Sequence, residues 1–201
     1  MTRPAMTVAK RLLPLLLLAA PASAQPPQAV MPNRDVTIVY RLSGDAANAI
    51  PGGTPGNVRV DWRAADRRLR VESDGGREIL LVDLNAPSVH LIQPNLRAAM
   101  VLPVRGRDLQ PLTLEGVHLT RKGKATIAGL ACTDYAAQSS RGRGTVCLTD
   151  DGVALRANGE VDGHPGALTA VSVAFDPVPA TAFEVPQGYF QMPIPARLPT
   201  R

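Results

Sequence analysis

The sequence predicts a mainly β protein, built as a single curved antiparallel sheet with at most short helices. Apolar and polar residues alternate with a period of two in successive short segments, the first of which covers residues 36–42. Such segments recur roughly every ten residues with turn-forming residues between them, which is typical of an antiparallel meander. No segment keeps a helical period over the length that a globular helix needs.

The first predicted strand places Val36, Ile38, Tyr40 and Leu42 on one face. Such strands have an apolar face toward a core and a polar face toward water. Residues 105–116 interrupt the regular spacing of the strands and form either a short helix or an irregular crossing segment. The only helix candidates in the sequence are 45–49 and 108–114. The same alternation predicts strands at 57–63, 68–73, 78–84, 88–92, 98–102, 117–120, 125–138, 145–149, 153–157 and 167–175.

The N-terminus has the organisation of a secretory signal peptide over residues 1–24. Basic residues precede a short apolar run, and Ala22-Ser23-Ala24 predicts cleavage between Ala24 and Gln25. The apolar run is too short to span a bilayer, so we expect a protein that does not cross the membrane. No Cys follows the cleavage site, which argues against a lipid anchor. We expect a periplasmic location, with secretion as the alternative.

The two ends of the exported chain are rich in Pro. We expect a disordered lead-in over residues 25–33, one domain over 34–190, and a flexible tail over 191–201. The chain carries a net charge of +5, of which Arg3, Lys10 and Arg11 belong to the leader, which leaves 5 − 3 = +2. With aromatic residues at only 3%, we expect no nucleic-acid partner. The basic run at 141–144 is interpreted as a hairpin tip.

The two cysteines, Cys132 and Cys147, both lie in the exported part. An even number of cysteines in an exported chain favours a disulfide, with free thiols and a metal or redox site as the alternatives. If the two residues face each other directly across a hairpin, its tip falls at Ser139-Ser140. The histidines are not spaced as zinc ligands, so we expect no metal and no cofactor.

Three short segments resemble an exported bacterial family of unknown function. They are IAGLACTDY at 127–135, TVCLTDDGVALR at 145–156 and FEVPQGY at 183–189. The family shows a Gly-x-x-Cys-x-x-Tyr strand, then Cys-x-x-x-x-Gly-x-x-Leu, and a closing Phe-x-x-Pro-x-Gly-Tyr element. It is similar in pattern to the periplasmic lipoprotein-carrier superfamily (LolA/LolB-like). The resemblance implies an antiparallel half-barrel over 34–190 and no established activity.

Catalytic candidates are few, and we expect no enzyme. Asp150 and Asp151 are neighbours in a turn, where their side chains diverge. Asp83 shares a face with apolar residues and, if it points inward, would have a raised pKa; the alternative is a hydrated strand end. His90 is interpreted as a satisfied or outward-facing histidine. No nucleophile elbow, P-loop or zinc-protease motif occurs in the sequence. His118 is interpreted as a strand-surface residue and His164 as a loop residue.

The remaining candidate for a functional site is the apolar face of the predicted sheet. An incompletely filled, rolled sheet can accept an apolar ligand. The leading hypothesis is a carrier-like protein for a lipid, an acyl chain of a lipoprotein or an apolar peptide. The alternatives are ordinary core packing in an envelope protein-interaction or sensor module, and a hydrolase with an unrecognised site. The predicted ligand-lining residues are Tyr40, Trp62, Leu69, Val71, Met100 and Phe175.

Overall fold

Twelve strands form one curved sheet in a computed structural model of the chain, which confirms the predicted fold class. The structure describes residues 30–47, 56–73, 75–105, 109 and 112–192. The predicted signal peptide, its cleavage site and residues 193–201 lie outside these ranges. The strands are β1 (Val36–Gly44), β2 (Asn57–Arg63), β3 (Arg68–Ser73), β4 (Ile79–Asp83), β5 (Ser88–Gln93), β6 (Ala98–Leu102), β7 (His118–Ile127), β8 (Leu130–Ser139), β9 (Gly142–Leu148), β10 (Ala154–Val161), β11 (His164–Ala174) and β12 (Phe190–Met192).

The first strand lies inside the sheet, between two meanders. The spatial order is β12-β6-β5-β4-β3-β2-β1-β11-β10-β9-β8-β7. One meander runs from β2 to β6 and the other from β7 to β11, and β1 pairs antiparallel with both β2 and β11. All pairs are antiparallel except β12 with β6, which is parallel. Nearly every partner is thus next in sequence, as the regular spacing of strands and turns predicted.

Alternation along β1 separates two faces of the sheet. We call the side that carries Val36, Ile38, Tyr40 and Leu42 the core face, because all four are buried in one apolar cluster. The cluster also holds Trp62 of β2 and residues of β8 and β9 from the other meander, so the sheet curls around it. The other side is called the opposite face.

Two polar groups in this cluster have hydrogen-bond partners within the protein. The Tyr40 hydroxyl donates to the Ala154 carbonyl at 2.6 Å, and burial raises the pKa of Tyr40. The Trp62 indole N–H donates to the Pro32 carbonyl at 2.9 Å. Satisfied polar groups remove the penalty that burying a hydroxyl or an indole would otherwise carry.

The second meander corrects the predicted run at 125–138. It is two strands, because Ala128 and Gly129 adopt positive φ (49° and 78°) and form the tight turn between β7 and β8. Residues 121–124, which separate the predicted strands 117–120 and 125–138, lie within β7, and the register shift between Arg121 and Gly123 marks a bulge there. The basic run at 141–144 begins in the β8–β9 turn and continues into β9.

The described chain extends beyond the predicted domain bounds of 34–190 on both sides. Met31, in the predicted lead-in, packs on the main core cluster, and the Asn33 N–H donates to the Asp151 carbonyl at 3.3 Å. Gln191 and Met192, in the predicted tail, belong to β12.

Two connections cover parts of the sheet. Leu109, in the connection between β6 and β7, packs against Val82 and Val89 on the core face. The segment after β11 packs Val185 and Tyr189 on the opposite face, against a cluster of Leu81, Ile92 and Ala99. The first helix candidate is a single 3-10 turn, Asp45–Ala47. Within the described ranges, no helix has the length and apolar character needed to cross a bilayer.

Candidate ligand-binding site

A continuous row of apolar side chains crosses eight strands of the core face. Each member is the direct ladder partner of the next, so the row follows from register alone. With strands about 4.8 Å apart, it extends roughly 30 Å along the curve of the sheet. We call it the apolar row; its members, in spatial order, are Val173, Ile38, Val60, Val71, Leu80, Leu91, Met100 and Met192.

The apolar row is only partly covered by the described chain. Ile38 and Leu91 are buried, whereas Val60, Val71, Leu80, Met100 and Met192 are half-buried. A neighbouring row on the same face runs from Trp62 through Leu69, Val82 and Val89 to Leu102. Three members of that row are buried: Trp62, which donates to the Pro32 carbonyl, and Val82 and Val89, which pack against Leu109. The apolar row therefore lies beside a packed ridge and offers an accessible apolar strip.

The predicted lining residues fall into two groups. Val71 and Met100 belong to the apolar row and are half-buried. Tyr40 and Trp62 are 7% and 3% exposed and fill the main core cluster. Leu69 packs on two clusters, and Phe175 lies beneath the Arg34 guanidinium, 3.5 Å from the ring centroid. Contact of any of the six with a ligand remains a prediction.

Sequence reasoning missed several members of the row. Val60 and Leu80 alternate correctly within their predicted strands, so the pattern contained the signal. Leu91 also follows the alternation of its predicted strand, but its position opposite Leu80 depends on the register of β4 with β5. Met192 carried no local signal, because β12 reaches β6 by a non-local parallel pairing.

Two small cavities lie on the opposite face. One, of about 260 Å³, is lined by His90, Ala99, Val101, Gln191 and Met192. The other, of about 250 Å³, lies beneath the C-terminal segment. His90, which is half-buried, lines both cavities. The second is lined by Arg68, Leu81, Val82, Asp83, Ser88, His90, Phe183, Glu184 and Val185. Each falls below the usual size of a small-molecule site.

Asp83 is a turn-capping residue at the hydrated end of β4. Partial desolvation raises its pKa, but hydrogen bonds donated by the Ala86 and Asn85 N–H groups and by Arg68 outweigh that effect, and the pKa is lowered. Of the two alternatives, the structure therefore has Asp83 at a strand end with a lowered pKa, and not as an inward carboxylate with a raised pKa. Asp83 has the environment of a structural cap rather than of a general acid.

The two neighbouring aspartates do not face one another as a catalytic pair. Asp151 accepts hydrogen bonds from Thr149 and from Arg34, the latter at 2.7 Å, whereas Asp150 is exposed. His118 is exposed at the start of β7, and His164 lies 3.3 Å from Asp45 at the surface. Within the described residues, no group of three or more His, Cys, Asp or Glu side chains could hold a metal ion.

A buried carboxylate on the opposite face escaped sequence reasoning. Asp61 is 3% exposed and accepts hydrogen bonds from the Thr37 hydroxyl at 2.6 Å and from Arg59 Nε at 3.0 Å. Arg70 approaches it to 3.5 Å. The hydrogen bond to Asp61 raises the pKa of Arg59. These contacts link Asp61 to Thr37 of β1 and to Arg70 of β3, so the network stabilises the sheet.

The cysteines form the predicted disulfide. The Cα atoms of Cys132 and Cys147 are 5.5 Å apart and the sulfurs are bonded. The described residues include no free cysteine. A disulfide of this kind is typical of proteins that fold in an oxidising compartment.

Comparison with known proteins supports the fold and goes no further. No protein-family model and no curated protein sequence matches the chain. A solved structure of an uncharacterised conserved protein from Thermus thermophilus matches with a TM-score of 0.53 and 13% identity, over 81% of this chain and 91% of that one. The structure named PNGF-II matches with a TM-score of 0.50 and 12% identity, over 80% of this chain and 32% of that one.

Other solved structures match at lower similarity. A candidate outer membrane lipoprotein-sorting protein domain from Vibrio parahaemolyticus matches with a TM-score of 0.37 and 12% identity, over 75% of this chain and 89% of that one. At this level of similarity it is a neighbour in fold space and supports no assignment of function.

Proposed function

We propose that the protein is an exported, non-enzymatic carrier that holds an extended apolar chain on the apolar row. The supporting observation is that eight ladder partners in succession are apolar, while most of them, from Val60 to Met192 with the exception of Leu91, are half-buried. A narrow apolar strip of this length fits an acyl chain or an extended apolar peptide better than a compact molecule. Periplasmic location is part of the proposal, supported by the disulfide.

Binding of an apolar chain to the apolar row is favourable because it covers apolar side chains that are still partly exposed to water. Val71 and Met100 are half-buried and belong to neither of the clusters beside them, so a bound chain would remove further apolar area from water. Each such side chain contributes about 1 kcal/mol when its remaining area is covered. Several neighbouring side chains along the strip would then give useful affinity without any charged contact.

Displacement of a fluorescent fatty acid from the purified protein tests the proposal. We expect saturable binding, which Val71→Gln and Met100→Gln each weaken by about fivefold to tenfold. Val101→Gln is the matched control, because Val101 is the next residue along β6 and lies on the opposite face. Thermal unfolding of each variant checks that the sheet is intact. Equal weakening by Val101→Gln, or no binding by wild-type protein and no lipid upon extraction, would contradict the proposal.

A second candidate function is docking of an envelope protein partner, and the C-terminal edge favours it. β12 pairs with only Ala98, Ala99 and Met100 of β6, and Phe190 of β12 is 68% exposed. Val101 and Leu102 have no ladder partner on that edge among the described residues. Removal of residues 190–201 should abolish docking at this edge while leaving most fatty-acid binding, since only Met192 of the apolar row is lost.

A further inference from the structure

The strand at the other end of the sheet is a long edge. β7 pairs with β8 on one side, and the strand order places no strand beyond it among the described residues. Its outward backbone N–H and C=O groups therefore have no ladder partner there. Most of its side chains are exposed, including every residue from Thr120 to Lys124.

This edge also carries the densest group of uncompensated cations in the described chain. Arg121, Lys122 and Lys124 are exposed and form no ion pair with a described residue. Most arginines of β2, β3 and β10 do have a carboxylate partner, as Arg156 has in Asp134. No acidic residue occurs in β7. The charge of β7 is therefore available to an external anion.

A bulge aligns these cations. Arg121 lies opposite Tyr135 and Lys124 lies opposite Thr133, two residues apart on β8, and the register shifts between Arg121 and Gly123. In a regular strand, residues three apart point to opposite faces. The extra residue, Lys122, cancels that alternation, so Arg121 and Lys124 share one face of the sheet. Bulges of this kind redirect side chains at sheet edges.

We propose that β7 docks the protein on an anionic lipid surface through Arg121, Lys122 and Lys124. Charge complementarity selects a polyanionic partner. The bulge and the lysines are also the devices by which edge strands resist pairing with another strand, so the partner is a surface of headgroups rather than an added peptide strand. The inference goes beyond ligand binding at the apolar row and stands whether or not that row holds a lipid.

Co-sedimentation with vesicles tests the proposal. The probes are vesicles of phosphatidylcholine alone and vesicles with phosphatidylglycerol added, at low and at physiological salt. We expect binding only to the anionic vesicles, weakened by salt because surface charges are screened over a Debye length. Arg121→Gln/Lys122→Gln/Lys124→Gln should weaken binding on the order of a hundredfold, at about fivefold per cation.

The matched control is Arg41→Gln/Arg67→Gln/Arg77→Gln. These three arginines are exposed, form no ion pair with a described residue, and change the net charge by the same amount. We expect the control to keep most of the binding, and circular dichroism verifies that both variants fold. Equal loss in both triple variants would overturn the proposal, as would equal binding to neutral and anionic vesicles. Binding of a polyglutamate peptide without binding of anionic vesicles would overturn it in favour of an acidic protein partner.

Discussion

The disulfide joins Cys132 to Cys147, although the residue opposite Cys147 in the β8–β9 ladder is Asp134. The bond is therefore diagonal across the hairpin. Directly opposed cysteines would give paired residue numbers summing to 132 + 147 = 279, whereas the ladder sums to 134 + 147 = 281. The tip consequently lies at Ser140-Arg141, one residue beyond the predicted position. Diagonal neighbours can be bridged where the strands coil strongly enough to bring their Cα atoms within disulfide range.

Removal of this disulfide should destabilise the protein without abolishing the sheet. The bond closes a loop with a sequence separation of 15 residues, for which chain entropy predicts about 3 kcal/mol. Cys132→Ala/Cys147→Ala should therefore lower the free energy of unfolding by about that amount, measured by urea denaturation. Thiol labelling of denatured, non-reduced wild-type protein should find no reactive thiol. Two labelled thiols per chain would show that the bond does not form.

Gly144 should not tolerate a side chain. It lies opposite Gly159 of β10, which in turn lies opposite Gly166 of β11. A Cβ atom at Gly144 would be 2.2 Å from the Asn158 carbonyl oxygen. Gly144→Ala should lower the free energy of unfolding by about 3 kcal/mol, since neither backbone can move freely. Gly123→Ala is the control, because a Cβ there meets nothing within 4 Å; its effect should stay within about 0.5 kcal/mol.

Asp61 should be the most sensitive carboxylate of the opposite face. Its removal leaves Arg70, whose side chain is only 18% exposed, without this partner. It also removes the acceptor of the hydrogen bond that the Thr37 hydroxyl donates. Asp61→Ala should lower the free energy of unfolding by about 3 kcal/mol. Glu72→Ala, at a more exposed partner of Arg70, should cost less than about 1 kcal/mol. Equal effects in chemical denaturation would show that burial of Asp61 is not what matters.

Asp83 should contribute to acid sensitivity. Its pKa is lowered from the ordinary value of 3.8, so between the folded and unfolded values the unfolded chain binds more protons. The stabilisation is therefore present above about pH 4 and is lost as the pH falls through the folded-state value. The stability difference between wild type and Asp83→Asn should be constant near neutrality and shrink below about pH 4. A difference that stays constant down to about pH 2 would contradict this cause.

Local alternation was sufficient to predict the first meander. In β1 to β6 each strand is short, ends at turn residues and pairs with its neighbour in sequence, so period and register agree. The apolar row follows from that agreement, and it includes two of the predicted lining residues, Val71 and Met100. Tyr40 and Trp62 were assigned to the same site because face alone does not distinguish a packed residue from an accessible one.

The strand boundaries of the second meander were harder to predict from the sequence, because its turns do not all have the composition of turns. Ala128-Gly129 turns the chain within an apolar run, where neither neighbour marks a break between strands. Conversely, Lys122-Gly123-Lys124 has turn composition but sits inside a strand. Burial of Asp61 and the pairing of β12 depend on residues distant in sequence, which no local pattern encodes.

The interior position of β1 has a consequence for how the molecule is assembled. Thr37 pairs with Asp61 on one side and with Ala174 on the other, so the first strand to be synthesised receives its second neighbour almost last. Until β11 pairs with it, β1 is an edge strand of an incomplete sheet, and its backbone groups on one side have no ladder partner. Closure of that long loop is slow relative to the hairpins on either side. Any segment that pairs with β1 before β11 does would therefore compete with completion of the sheet.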